Sequence, residues 1–175
     1  MISFLKKLNK VTTAINKFAM NITGALFAGM IFCASTQVIC RFILKISTPW
    51  AEEWARFLFV WTTLLGASCA SKLVKHINVD ALVGRLKGKT KIIINVISSL
   101  VLVGLYIVCI KSGVDYTMRG YQQVSAITDT NMAAIYVSLP ISFGLMLIYE
   151  IEIILQTIFN YHSAVDNTVT IGGTE

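Results

Sequence analysis

Four long runs without a charged residue divide the chain: Phe18 to Cys40, Phe57 to Ser71, Ile92 to Ile110 and Thr130 to Tyr149. As helices they would measure roughly 34, 22, 28 and 30 Å at about 1.5 Å per residue, against a bilayer core roughly 30 Å thick. The first, third and fourth can cross unaided. The second must draw its flanks into the membrane boundary, Trp50 to Arg56 at one end and Lys72 to Lys75 at the other. The pattern predicts an all-α integral membrane fold with four transmembrane helices, at about residues 18–42, 50–74, 92–112 and 128–150. Ahead of the first span, Phe4, Leu8, Val11, Ile15 and Phe18 recur at helical spacing among four lysines. That spacing predicts an N-terminal amphipathic helix lying on the membrane surface. Residues 1–159 then form one membrane domain, and residues 160–175 read as a flexible polar tail. The first run exceeds the core of a signal peptide, about 7–15 residues, so it is expected to be retained.

Composition agrees with this reading. The 175 residues are 55% hydrophobic and 14% charged, where a soluble domain carries about a quarter charged residues. Mean hydropathy is +0.71. The net charge of +6 sits in short clusters flanking the apolar runs, which suits anionic lipid headgroups rather than nucleic acid. Lys6, Lys7, Lys10 and Lys17, with Lys72, Lys75, Arg85, Lys87, Lys89 and Lys91, fall on one side of the predicted membrane. Arg41, Lys45, Arg56, Lys111 and Arg119 fall on the other. The positive-inside rule then puts both termini and the 72–91 loop in the cytoplasm. Within that loop Asp80 could cap a second amphipathic helix carrying Leu82, Val83 and Leu86.

Cys33, Cys40, Cys69 and Cys109 lie within apolar runs without a CxxC pair, and His76 and His162 lie outside those runs. Neither a disulfide framework, a metal cluster nor a membrane haem is indicated, and no cofactor is expected. Ala25 and Gly29, then Gly66 and Ala70, are small pairs spaced for helix contacts. Pro140 is placed to bend the fourth span.

The charges cluster in "STPWAEEWARFLFVW", residues 47 to 61. Pro49 suits a helix start, and acidic residues there meet the positive end of the helix dipole. Glu52 and Glu53 each reach Arg56 at helical spacing, and Gln37 and Arg41 arrive at the same depth from the first span. Trp50, Trp54 and Trp61 fall near one face, the first two suited to an interfacial aromatic belt. Three readings stand: solvated charges marking the membrane edge, a sheltered neutral cluster of Arg41, Glu52, Glu53 and Arg56, or an ion-coupling site. Coupling sites need carboxylates near the midplane or broken helices, and the four charge-free runs supply neither. A redox enzyme would need paired thiols or haem-ligating histidines, and a drug–proton antiporter an intramembrane carboxylate.

Arg41, "PWAEEWARFLFVW", Gly66-Ala67 and "HINVD" (His76 to Asp80) together resemble the small, DctQ-type membrane subunit of tripartite ATP-independent periplasmic (TRAP) transporters, in order and spacing. The resemblance implies a non-enzymatic scaffold in the bacterial inner membrane. Its partners would be a large sodium-coupled permease subunit, which carries the substrate site, and a periplasmic substrate-binding protein, which it would help to dock. Substrates of such systems are mostly organic acids, including dicarboxylates and sialic acids. The implied structural or interface positions are Arg41, Trp50, Glu52, Glu53, Trp54, Arg56, Gly66, His76 and Asp80. The alternative is the small four-span subunit of another multi-component transporter, such as the tripartite tricarboxylate type.

Overall fold

Residues 2–23 contain no glycine or proline, so nothing separates the amphipathic start of the chain from the apolar run behind it. In the computed structural model, which describes the backbone of residues 2–83 and 89–171 and the side chains of residues 7–73 and 96–157, both belong to one helix. This is α1, Ile2–Ile39. The expected separate surface helix is therefore the first part of a rod about 57 Å long. Its Thr12, Asn16 and Ala19 face the bundle and are buried, whereas Val11 and Phe18 point outward.

A π-helical turn, Cys40–Leu44, ends α1. α2 follows over Pro49–Val83, α3 over Lys89–Gly120, α4 over Ala133–Tyr136 and α5 over Ser138–Ile171. Among the described residues there is no strand, only an isolated antiparallel bridge between Val124 and Asn131. α1 packs along α2, α2 along α5, and α5 along α3.

One expectation changes. Asp80 lies inside α2, which continues to Val83, so it caps no separate helix. The helical backbone is interrupted at Val137, between α4 and α5, one turn before Pro140 in the first turn of α5. From Ser138 it runs helical to Ile171.

Lys7–Leu44, Val96–Gly120 and Ala133–Thr157 are long and apolar enough to cross a membrane. α2 falls outside this set. Its described part carries Glu52, Glu53, Arg56 and Lys72 together with Thr62, Thr63, Ser68 and Ser71, and several of these point inward. Ser68, Lys72 and Glu53 are buried, as are Ser138, Ser142, Glu150 and Glu152 on α5. Meanwhile Phe32, Phe42, Leu100, Val101 and Met118 are more than 60% exposed. An aqueous protein does not leave so much contiguous apolar surface uncovered. The chain is a multi-pass membrane protein whose outer surface is its greasy one.

Two of the inward serines are satisfied locally. Ser68 donates to Leu65 C=O at 2.7 Å and Ser138 to Ile135 C=O at 2.6 Å, each within its own chain segment.

Helix contacts use the two glycines expected and two more. Gly29 and Gly66 do face the α1–α2 seam, where an added Cβ would lie 3.5 Å from Leu58 and 3.7 Å from Thr23. Ala25 and Ala70 are exposed. The closest approaches are at Gly113, 3.0 Å from Pro140, and at Gly120, 2.9 Å from the Ala133 backbone nitrogen.

Candidate functional site

The end of α1 and the start of α2 form a tight corner. Lys45 adopts a left-handed conformation (φ 55) after the π turn, and Ile46 N–H returns to Cys40 C=O at 3.0 Å. Ala51 N–H then donates to Thr48 C=O at 3.1 Å as α2 begins. Between the two helices lies a cleft of about 470 Å³, lined by Gln37, Arg41, Lys45, Ile46, Ser47, Thr48, Pro49 and Glu52.

The two glutamates of the threshold separate into different roles. Glu52 stays at the surface and accepts from Arg56 Nη2 at 3.0 Å, with both side chains more than half exposed. Its other oxygen accepts from Gln37 Nε2 at 3.2 Å, so Gln37 rather than Arg41 ties α1 to α2 here. An exposed pair of this kind contributes about 0–1 kcal/mol. Arg41 lines the cleft but makes no ion pair among the described residues.

Glu53, one position on, turns inward and is 9% exposed. It pairs with neither arginine but accepts a hydrogen bond from Ser125 Oγ. Ser125 sits in the 121–132 loop, which is folded on itself by Ser125 N–H to Thr130 C=O and Met132 N–H to Gln123 C=O, both 3.0 Å. Asp129 takes a positive φ of 50 within it. Glu53 thus clips the loop after α3 onto the start of α2. The four charges do not form a single neutral cluster.

Trp50 and Trp54 are exposed at this end, Trp54 meeting Phe57 edge-on at 6.1 Å. Trp61 lies deeper, and its Nε1 donates to Ala134 C=O at 3.2 Å, fastening α2 to α4. Gly66 belongs to the α1–α2 seam. His76 and Asp80 fall on α2, with side chains outside the described residues.

At the opposite end of the bundle is a second charged group that the sequence pattern did not reveal. Lys72 Nζ, on α2, donates to Thr12 Oγ1 at 2.6 Å, to Thr13 Oγ1 at 3.3 Å and to Glu152 Oε2 at 3.4 Å. Tyr149 presents its ring 5.2 Å from the ammonium, and Gln156 Nε2 donates to the other Glu152 oxygen at 3.0 Å. Both charged side chains are under 10% exposed. Buried Glu150 and Glu152 fall just past the charge-free run that ends at Tyr149, still inside the apolar stretch Ala133–Thr157. The available signal was spacing. Leu65, Ser68 and Lys72 on α2, and Ser138, Ser142, Tyr149 and Glu152 on α5, fall on helical faces that a count of charge-free runs ignores.

Comparison with known proteins gives these features a context. The family described as tripartite ATP-independent periplasmic transporters, DctQ component, matches residues 30–160. The sialic acid TRAP transporter permease protein SiaT of Haemophilus influenzae (strain 86-028NP) is 27% identical over 142 residues, 79% of this chain and 22% of that protein. The sialic acid TRAP transporter small permease protein SiaQ of Vibrio cholerae serotype O1 is 32% identical over 88 residues, 50% of this chain and 49% of that one. The C4-dicarboxylate TRAP transporter small permease protein DctQ of the same organism is 33% identical over 82 residues, 46% of this chain and 34% of that one. The chain thus spans between a fifth and a half of the length of these relatives. The family match takes in the α1–α2 corner, the clipped loop and the start of α5 alike, and it decides against the tricarboxylate alternative. The chain belongs to the DctQ-component family of TRAP transporters, as a transporter subunit and not an enzyme.

Proposed function

We propose that this chain is the scaffold subunit of a sodium-driven, binding-protein-dependent uptake system for organic acids in the bacterial inner membrane. It packs against a large permease subunit and helps to dock a periplasmic substrate-binding protein. Its relatives are named for sialic acid and C4-dicarboxylates, which are both organic acids. In this reading α2 is a fourth span, shielded by α1 and α5, and both termini are cytoplasmic. The pairing of Glu53 with Ser125 supports such an arrangement, since it brings the α1–α2 corner and the loop after α3 to one end. Trp50, Glu52, Trp54 and Arg56 are the contact candidates at the periplasmic end, and His76 and Asp80 those at the cytoplasmic end, with Arg41 a structural candidate in the corner cleft. Glu53 and Gly66 act within the subunit.

The observation that carries the scaffold role is the filled interior. Thr12, Ser68, Ser138, Ser142, Tyr149 and Glu150 are under 2% exposed, and Glu152 is neutralised by Lys72. Side chains rather than space occupy this part of the interior among the described residues, and binding sites of secondary transporters are built on discontinuous helices near the midplane. In proteoliposomes with an inward sodium gradient the chain alone should carry no organic acid. Adding the large subunit and the binding protein should start uptake, and the two membrane chains should co-purify. Sodium-driven flux through the chain alone would overturn the scaffold role.

A further inference from the structure

The cleft at the α1–α2 corner holds more positive charge than the chain itself uses. Its one carboxylate, Glu52, is engaged at both oxygens, by Arg56 and by Gln37. Arg41 and Lys45 line the same cleft, and neither makes an ion pair among the described residues. Gln37, Arg41 and Lys45 are four residues apart, and the wider π turn keeps the last two on the side of the first. Thr48 Oγ1, at the cleft wall, is buried without a hydrogen-bond partner. α2 opens at Pro49 on that same wall, adding the positive end of its dipole.

Beside this polar hollow lie exposed apolar side chains. Phe42, Ile43, Leu44 and Ile46 are each more than half exposed. A ligand matched to both halves has an anionic head and a hydrocarbon body. An acidic side chain from another protein would satisfy the two cations alone.

We infer that the corner cleft binds the phosphodiester headgroup of an anionic phospholipid. The phosphate oxygens lie between Arg41 and Lys45 and accept from the Ser47 and Thr48 hydroxyls, while the acyl chains follow Phe42 to Ile46. A cleft of about 470 Å³ admits a headgroup, and a free phosphate ion offers the same charge chemistry without the hydrocarbon. The inference rests on membrane placement and not on the scaffold role, so its test needs no transport.

The full chain, purified in mild detergent, is titrated with phosphatidylglycerol, with phosphatidylcholine of the same acyl chains, or with inorganic phosphate, and bound lipid is counted by native mass spectrometry. Wild type should retain one phosphatidylglycerol in preference to phosphatidylcholine. Arg41→Gln with Lys45→Gln should lower that retention about tenfold or more, with unchanged helical circular dichroism. Lys111→Gln with Arg119→Gln, an equal loss of charge away from the cleft, should leave it intact. Equal loss in both double variants would reduce the effect to general surface charge and overturn the site. Displacement of the lipid by equimolar inorganic phosphate would overturn the lipid assignment. So would a cleft variant that keeps its lipid but no longer co-purifies with the large subunit, which would assign the cations to a protein carboxylate.

Discussion

Lys72 shows what one buried charge demands of its neighbours. Two threonine oxygens, one carboxylate oxygen and the face of Tyr149 surround its ammonium, drawn from α1 and α5. Removing one member of a buried pair leaves the other uncompensated, at about 3–5 kcal/mol, whereas replacing both by apolar residues of similar size is often neutral. Lys72→Met and Glu152→Met should therefore each lower the thermal midpoint in detergent strongly, and the double variant should recover most of the loss. Equal, additive losses in the double variant would mean that the two charges act independently. Glu52→Gln, by contrast, touches an exposed pair and should shift stability by about 0–1 kcal/mol. At this scale the sequence was partly legible. Helical spacing let either Glu52 or Glu53 reach Arg56, and the structure pairs Glu52, four residues away on the same helix. Nothing local could predict that Glu53 would find Ser125, 72 positions away.

Among the helices, α3 and the α4–α5 pair approach through glycine. A methyl group at Gly120 would meet the Ala133 backbone at 2.9 Å and the Tyr136 ring at 2.7 Å, and backbone cannot step aside as a flexible side chain can. Gly24, on α1, has nothing within 4 Å of the same added atom. Gly120→Ala should thus separate α3 from α4 and cost about 1–3 kcal/mol as an overpacked contact. Gly24→Ala should instead be neutral or stabilise by up to about 1 kcal/mol, from helix propensity alone. Unfolding of the two variants side by side in detergent checks this. A tolerated Gly120→Ala would mean that α4 is not held against the end of α3. Small-residue spacing pointed to the α1–α2 seam and found Gly29 and Gly66 there, but the tighter contacts at Gly113 and Gly120 involve partners on another helix. Glycines that let backbones touch look the same in sequence as glycines that touch nothing.

For the whole molecule, the two ends of the bundle differ in chemistry. One carries the corner cleft, Glu52 with Arg56, and the loop clipped by Glu53; the other is closed by Lys72, Glu152 and Thr12. If the basic clusters orient the chain, single cysteines replacing Asp115 and His162 in a background without the four native cysteines should label differently. An impermeant thiol reagent should reach position 115 in intact cells and position 162 only after lysis. Equal labelling of both would refute the two-sided arrangement.

What the sequence by itself determined was the solvent and the elements. Long charge-free runs specify helices in lipid, because only a helix satisfies its own backbone there, and the motif from Arg41 to Asp80 led to the family. The tertiary structure alone decided which polar residues would be interior. Lipid covers the apolar faces as readily as protein does, so apolar periodicity does not say which face points inward. That choice fell to small serines and glycines and to a lysine–glutamate pair that joins α2 to α5, and their burial depends on how the helices pack together.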